Sequence, residues 1–334
     1  MNKLISFIIL GFGIGLYIVA CDPVNSWDDR QADHPETALS ARDMGGEPGK
    51  LNPVRNMCDN MQEAWIFCDD FESDEPLEDR YFEYTGRNTF TLEEGAGRAG
   101  GSAMRARFYR GSVGAGGFKK SFGRTPDDYI GNNAAEPDKD FDEIYWRFDL
   151  RLEDDWVGGG GHKLVRAMTL AASNWSQGTI AHLWSGGENH HYLGMDPASG
   201  IDEEGNLVST RYNDFPNLRW LGFKVGSTPM FGPEYIGEWV SIEARVKLNT
   251  PGESDGIFEF WVNDELQAGS YNLNWHGTWN EDPDNFKLNA IFLENHWDGG
   301  APATQDRYFD NFIISTERIG PGLPGMPRTS NPVK

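Results

Sequence analysis

The 334-residue sequence has few cations, few cysteines and few long apolar runs. It contains 29 Lys and Arg residues against 52 Asp and Glu residues, which gives a formal net charge of −23. Nucleic-acid binding needs a basic surface, so this balance argues against a nucleic-acid partner, although it allows a local cationic groove. After the first twenty residues no apolar run is long enough to span a bilayer, which argues against a polytopic membrane protein.

The residue types that are abundant favour a β-rich domain. Aromatic residues make up 13% of the chain, too many for a disordered protein, and 40 Gly and 18 Pro argue against a helical bundle. The length allows one large domain or two small ones. The sequence contains no G-x-S-x-G elbow, no G-x-x-x-x-G-K-[ST] phosphate loop and no H-E-x-x-H zinc motif.

The N-terminal segment predicts export. Met1-Asn2-Lys3 is short and basic, and residues 4–20 are uncharged and mostly apolar, as in a secretory signal peptide. The run ends in Ile-Val-Ala-Cys, which resembles a bacterial lipobox, and this resemblance implies cleavage of residues 1–20 and lipidation of Cys21. An uncleaved anchor helix is the alternative. Both interpretations predict an extracytoplasmic, membrane-anchored protein, either periplasmic or at the cell surface.

Composition divides the rest of the chain into a tether, a folded body and a tail. Residues 21–57 are rich in Asp, Pro, Gly and Asn and predict a linker, and residues 321–334 form a Pro/Gly-rich tail. The folded body spans residues 58–320. Once Cys21 is assigned to lipid, Cys58 and Cys68 are the remaining pair, and an oxidising compartment favours a structural disulfide between them.

Within the body, apolar residues recur at every second position. This period predicts strands over residues 144–152 and 240–248. Further predicted strands cover residues 103–109, 258–262, 288–293 and 308–314. Clusters of Gly, Pro, Asn and Asp separate these runs, and no βαβ rhythm is visible. We therefore predict an all-β antiparallel sandwich of two sheets, with a closed barrel as the alternative.

The polar positions of the predicted strands carry several cations and tyrosines. Tyr145 and Arg147 alternate with core residues on one strand, and Arg245 does so on another. If such strands share one concave sheet, they form a cationic, Tyr-lined groove inside an acidic shell. Ordinary solvated strand residues would give the same pattern.

The densest group of ionisable residues lies between residues 158 and 195. Alternation places one pair of its members on one face of a strand and a second pair on one face of the next strand. Imidazole, phenol and a neighbouring cation together suit proton transfer, whereas clustered surface histidines are the simpler explanation. In chain order the group comprises Lys163, Arg166, the pair His182 and Trp184, and the pair His190 and Tyr192.

Three segments resemble bacterial and fungal polysaccharide lyases of the concanavalin A-like jelly-roll class, the relatives of alginate and glucuronan lyases. Residues 67–72 (FCDDFE) are similar to the opening strand of that family. Residues 237–264 resemble its long hairpin, and residues 308–320 (YFDNFIISTERIG) resemble its closing strand. The resemblance implies a jelly-roll sandwich for nearly the whole body and, less specifically, lyase activity.

At the catalytic motifs the resemblance is only partial. Residues 160–164 (GGHKL) resemble the Gly-Gly-Lys-Leu stretch that supplies a substrate-binding lysine in alginate-cleaving relatives, with a histidine inserted. The Ser-x-Arg motif of those relatives aligns with Thr179 and Ala181, so its arginine is missing, and their Tyr-x-Tyr motif retains Tyr192 at most. These departures weigh against alginate as the substrate and leave a glucuronan-like or other uronate polymer.

The activity that the resemblance implies is β-elimination on an acidic polysaccharide. Lys163, with Arg147 or Arg245, would neutralise the uronate carboxylate so that the C5 proton becomes acidic. Tyr192 would act as base, acid or both. Further candidates are His182 and His190 as catalytic partners, and Tyr145, Arg166 and Trp184 as substrate contacts. This chemistry requires no cofactor.

Two other points remain open at the level of sequence. Asp70, Glu72 and Asp310 are candidate ligands for a structural Ca²⁺, with capping and turn roles as the alternative.

The function could also be that of a non-catalytic glycan-binding surface lipoprotein, which would use tryptophans as stacking platforms. A retaining glycoside hydrolase ranks third, because it needs two carboxylates about 5–5.5 Å apart and the strand carboxylates occur singly. Lys163, His182 and Tyr192 are expected to converge on one groove in a lyase.

Overall fold

A computed structural model describes residues 57–320 of the chain. The predicted signal peptide, the lipidation of Cys21, nearly all of the tether and the tail lie outside the described residues. From Met57 to Gly320, no helix is long and apolar enough to cross a membrane.

Nearly all of the regular secondary structure in the described chain is β-strand. One short helix, α1, covers Leu77–Arg80, and short 3-10 turns cover Met57–Asn60, Glu188–His190, Phe215–Asn217 and Trp279–Glu281. The strands are β1 (Trp65–Asp69), β2 (Glu83–Thr85), β3 (Phe90–Glu93), β4 (Ala103–Phe108), β5 (Gly114–Ser121), β6 (Glu143–Leu152), β7 (His162–Leu170), β8 (Gln177–Gly186), β9 (Tyr192–Ser199), β10 (Arg219–Trp220), β11 (Lys224–Val225), β12 (Trp239–Lys247), β13 (Gly256–Val262), β14 (Glu265–Leu273), β15 (Ala290–Trp297) and β16 (Gln305–Ser315).

These strands form two antiparallel sheets. The first sheet has the order β14-β13-β12-β6-β16-β4-β3, with β1 beside β16. The second has the order β10-β9-β8-β7-β15-β5-β2, with β11 beside β9. The predicted two-sheet jelly-roll sandwich is confirmed, and the barrel alternative is not observed. Every predicted strand overlaps an observed one; β15 begins at Ala290, two residues later than predicted.

The period of two arises because the inner faces of both sheets bury apolar side chains against each other. On β6, Trp146, Phe148 and Leu150 lie in the core, and the second sheet contributes Val165 and Leu183. Burying a side chain of this size removes it from water and stabilises the fold by about 1.5–3 kcal/mol. The alternate residues of each strand therefore point outward.

The predicted disulfide is present between Cys58 and Cys68, whose Cα atoms are 5.6 Å apart. It connects the 3-10 turn at the start of the described chain to β1, which pairs with β16 in the first sheet. Closing this short loop restricts the unfolded chain and is worth about 2–3 kcal/mol.

The outer face of the second sheet is covered over only part of its area. Met168, Ile180 and Phe292 form a second apolar cluster there, and Ile130 and Leu218 from neighbouring loops pack onto it. The remaining part of this face carries polar and aromatic side chains. We call this remaining part the open face, and the candidate site lies on it.

Candidate functional site

The open face is organised by the register of three neighbouring strands. Arg166 on β7 pairs with His182 on β8, which in turn pairs with Asp196 on β9. Lys163 pairs with Trp184 in the adjacent row. The residues between these positions belong to the core, so both rows point outward.

Arg166 is the centre of a buried polar network. Its side chain is 0% exposed, and its guanidinium donates hydrogen bonds to Glu294 Oε1 at 2.7 Å and to Asn213 Oδ1 at 2.9 Å. It also donates to the hydroxyl of Tyr212, which donates to Glu294 Oε1 at 3.1 Å. His182 Nε2 lies 3.5 Å from the same guanidinium. Arg166, predicted to contact substrate, is therefore enclosed by protein groups.

The protonation states in this network follow from burial and from the charge of Arg166. Burial, together with Arg166 and Lys163, lowers the pKa of His182 well below its ordinary value, so the ring is neutral at pH 7. Burial raises the pKa of the Tyr212 phenol, which keeps its proton. Burial alone would raise the pKa of Glu294, but Arg166 and Lys163 lower it, so Glu294 is ionised.

Lys163 lies beside this network but is differently placed. Its ammonium lies 5.7 Å from the centre of the Trp184 ring and 5.8 Å from that of Phe215. Burial and the charge of Arg166 lower its pKa, while the charges of Glu294 and Asp298 oppose that shift. From Met57 to Gly320, no carboxylate forms a direct ion pair with Lys163. The open face thus presents a cation held by aromatic rings.

Aromatic rings extend from Lys163 across the open face. Phe215 and Trp220 are 40% and 45% exposed, and their ring centres are 6.4 Å apart with nearly parallel planes. His182 stacks between Trp220, at 6.3 Å, and Trp184, at 4.7 Å. We call Trp184, Phe215 and Trp220 the aromatic platform. Flat exposed rings of this kind are suited to stacking against sugar rings.

Tyr192 lies on the same outer face, at the first position of β9. It pairs with Gly186 on β8, one row beyond the row of Lys163 and Trp184. Successive rows of a strand are about 7 Å apart, so Lys163 lies between the rows of Tyr192 and His182. The structure therefore brings these three predicted residues onto one face, in three consecutive rows.

His190 departs from the position that alternation predicts. It lies in the 3-10 turn Glu188–His190 before β9, with a left-handed φ of 55°. Gly187, the residue just before this turn, has a φ of 68°. The chain is still reversing direction at His190, so the strand period does not apply to it. Its Nδ1 lies 3.5 Å from Ser185 Oγ, near the glycine loop that precedes Lys163.

The cations predicted from the alternation of β6 and β12 lie elsewhere. Tyr145, Arg147 and Arg245 are on the first sheet, facing away from the core on the opposite side of the sandwich from Lys163. Arg245 donates to Glu143 and Glu259, and Arg147 is 2% exposed and pairs with Asp149. The prediction that Arg147 or Arg245 shares a groove with Lys163 is therefore wrong. Alternation specifies a face of a strand but not the sheet to which the strand belongs.

The three candidate calcium ligands bind main-chain amides. Asp70 accepts from Cys58 N at 3.0 Å, Glu72 from Ser102 N at 2.9 Å, and Asp310 from Arg98 N at 2.8 Å. In the part of the chain that the structure describes, no group of three or more His, Cys, Asp or Glu side chains is arranged to hold a metal ion. Their contacts are those of turn and loop caps.

Glu294, Tyr212 and Asn213 were not predicted from the sequence. Glu294 follows the apolar run of β15, where a single carboxylate gives no periodic signal. Tyr212 and Asn213 belong to the irregular segment between β9 and β10, for which strand patterns make no prediction. The only available signal was that Arg166, on a buried strand, requires a buried carboxylate partner.

Comparison with known proteins identifies the fold. No family model and no curated protein matches the chain. Its structure is similar to that of the endo-β-1,4-glucuronan lyase from the fungus Trichoderma reesei, with a TM-score of 0.50 and 13% identity over 76% of this chain and 96% of that one.

Two alginate lyases are also similar in structure. The marine PL-14 alginate lyase from Aplysia kurodai has a TM-score of 0.47 and 16% identity over 70% of this chain and 90% of that one. The alginate lyase vAL-1 from Chlorella virus has a TM-score of 0.48 and 15% identity over 71% and 93%. These three structural neighbours are polysaccharide lyases, and at these identities the likeness concerns the fold alone.

Proposed function

We propose that this protein is a polysaccharide lyase that cleaves a uronate-containing polymer by β-elimination on the open face of the second sheet. The observation that carries the proposal is the Lys163 ammonium, held between Trp184 and Phe215 without a direct ion pair among the described residues. In a chain with a net charge of −23, a cation left available on an aromatic face is suited to binding a carboxylate.

The proposed chemistry begins at the substrate carboxylate. Lys163 pairs with it and withdraws charge, which makes the C5 proton more acidic. Tyr192, one row along the same face, is the proposed proton carrier. Its phenolate takes the C5 proton, the C4–O bond breaks, and a C4=C5 double bond forms. The resulting phenol then passes that proton to the leaving oxygen. These steps require no cofactor.

The buried network beside Lys163 has a positioning role in this proposal. Arg166 holds Glu294, Asn213 and Tyr212 in fixed orientations, and the neutral His182 ring supports Trp184 and Trp220 by stacking. None of these groups has to move when a sugar chain lies across the aromatic platform. Such preorganisation reduces the cost of ordering the site.

The experiment incubates the full-length protein with a panel of uronate polymers and follows the ultraviolet absorbance of the unsaturated product. Lys163→Met and Tyr192→Phe are compared with Lys139→Met, an exposed lysine that pairs with Glu136 in a loop. We expect roughly a hundredfold loss of turnover for the first two variants and no loss for the control. Full turnover in Tyr192→Phe would remove that residue from the mechanism.

The pH profile supplies a second test. Because burial and Arg166 lower the pKa of Lys163, its ammonium loses its proton at a lower pH than an exposed lysine would. We expect turnover to decline on the alkaline side as this cation is neutralised. A profile that stays flat through the alkaline range would exclude Lys163 as the carboxylate-binding group.

A glycan-binding module is the second candidate function, favoured by the exposure of Phe215 and Trp220. Binding of one polymer without unsaturated products would support it, and new reducing ends without absorbance would indicate hydrolysis.

We also propose that the protein is extracytoplasmic and attached to the membrane through Cys21. The Cys58–Cys68 disulfide suits an oxidising compartment.

A further inference from the structure

We propose that the substrate is a heteropolymer in which uronate residues are separated by uncharged sugars, not a polymer that carries a carboxylate on every sugar. This inference rests on the proposed function, since it names the substrate class of the same open face. Three observations carry it: the number of available cations, the acidic groups around Lys163, and the aromatic platform.

Three cations occupy outward positions on β5 and β7, and two of them are already neutralised. Arg166 is fully buried and pairs with Glu294 at 2.7 Å. Lys119 pairs with Glu83, and its ammonium lies 4.6 Å from the centre of the Trp175 ring. Lys163 is the one of the three without a direct ion pair among the residues from Met57 to Gly320. These strands therefore offer charge for a single carboxylate.

Two acidic groups lie near that single cation. The Glu294 side chain is 21% exposed and the Asp298 side chain is 54% exposed. Both lie close enough to Lys163 to oppose the lowering of its pKa. His296 does not add a free cation here, because its Nε2 lies 3.1 Å from Asp298 Oδ1. A second carboxylate beside the one bound by Lys163 would find no unpaired cation at the outward positions of these strands and would lie near the exposed Asp298.

The aromatic platform lies next to the Lys163 ammonium. Phe215 lies beside the Lys163 ammonium, and Trp220 stacks on Phe215 with both rings substantially exposed. The face of an aromatic ring carries partial negative charge, so it attracts cations and the C–H faces of uncharged sugars and disfavours a carboxylate. A chain with its uronate on Lys163 would therefore place uncharged sugars over Phe215 and Trp220.

The test measures, by calorimetry, the Kd of the full-length Tyr192→Phe variant, which the proposed mechanism makes unable to cleave, for three oligosaccharides of equal length. The original protein is assayed for cleavage of the same oligosaccharides in parallel. The first alternates glucuronate and glucose, the second is oligoglucuronate, and the third is uncharged oligoglucose. At low salt we expect the alternating oligomer to bind about tenfold more tightly than either of the others. Added salt is expected to weaken the alternating oligomer slightly and to strengthen oligoglucuronate, because salt screens its repulsion from the acidic surface.

Two variants with a matched control locate the effect. Lys163→Met is expected to remove the advantage of the alternating oligomer over oligoglucose. Trp220→Ala is expected to weaken the alternating oligomer roughly two- to tenfold. Tyr109→Ala, which removes a 51% exposed ring next to β4 of the first sheet, is expected to leave every Kd unchanged.

The outcomes separate this inference from the proposed function. Equal or tighter binding of oligoglucuronate, or of oligoglucose, would overturn the inference even if the protein proves to be a lyase. Tighter binding of the alternating oligomer without cleavage would support the inference and count against lyase activity. Absence of binding to all three probes would overturn the assignment of this face as a glycan site.

Discussion

Lys163 and Arg166 lie three residues apart on β7 and both point to the open face, yet of the two only Arg166 has a direct carboxylate partner among the residues that the structure describes. Arg166 is fully buried, and a guanidinium removed from water needs a compensating charge, which Glu294 supplies. Lys163 keeps partial access to water and rests against aromatic rings. The difference in burial makes one residue part of the framework and leaves the other available for a ligand.

The first residue-scale prediction concerns Arg166. Replacing it with Met leaves Glu294 without its partner, so we expect the free energy of unfolding to fall by about 3 kcal/mol. The control is Lys139→Met, whose pair with Glu136 has side chains 61% and 46% exposed and is worth about 1 kcal/mol at most. Urea unfolding at pH 7 measures both. Equal losses for the two variants would contradict the structural role given to Arg166.

The second residue-scale prediction concerns Asp196, which is 3% exposed. Burial raises its pKa from 3.8 to about 7, so the folded state prefers the protonated acid. The stability that this preference contributes is complete below pH 4 and is lost as the pH rises towards 7. The loss amounts to at most about 4 kcal/mol.

The variant Asp196→Asn tests this pH dependence. It cannot ionise, so we expect its stability relative to the original protein to increase between pH 4 and pH 7, as measured by urea unfolding across that range. The exposed Asp282→Asn serves as the control. A constant difference between Asp196→Asn and the original protein at all pH values would show that Asp196 ionises normally in the folded state.

At the scale of elements, strand β5 shows how close packing between chain segments constrains residue choice. Gly116 has a φ of 86°, and a Cβ atom there would lie 2.5 Å from the carbonyl oxygen of Thr85 at the end of β2. L-residues adopt this conformation at a cost, and the contact leaves no room for a side chain. The close pairing of β2 with β5 therefore depends on glycine.

A matched pair of variants separates conformation from contact. Gly111 has a similar φ of 80°, but no atom of residues 57–320 beyond its immediate chain neighbours lies within 4 Å of its Cβ position. We expect Gly111→Ala to cost about 1–2 kcal/mol, from backbone strain alone. Gly116→Ala should cost at least 1 kcal/mol more, since β2 has to move away. Thermal unfolding of both variants provides the measurement, and equal shifts would contradict the predicted contact.

At the scale of the whole molecule, the excess of negative charge opposes the compact state. The net charge is −23, and like charges repel more strongly when the chain is folded. Raising the ionic strength from about 0.01 M to about 0.15 M shortens the screening length from about 30 Å to about 8 Å. We therefore expect the urea midpoint to rise with NaCl. A falling midpoint would mean that the surface ion pairs outweigh this repulsion.

The sequence by itself determined the strands and their inward faces. The period of two on β6 and β12 follows from local chain geometry, since alternate side chains of a strand always point to opposite sides. The pairing of Cys58 with Cys68 followed from their isolation in the folded body. The presence of His182 and Tyr192 on outward positions was likewise within reach of pattern analysis. Lys163 shares a face with Arg166 only because the strand register shifts between Lys163 and Val165.

Only the tertiary structure decided which outward faces share a surface. It placed Arg147 and Arg245 on the opposite side of the sandwich from Lys163, and it brought Tyr212 and Glu294 to Arg166 across 46 and 128 residues of sequence. Alternation carries no information on strand order, and an irregular loop has no period at all. Strand order and loop position are set by contacts between segments distant in sequence, because the burial that stabilises them is shared across the whole core.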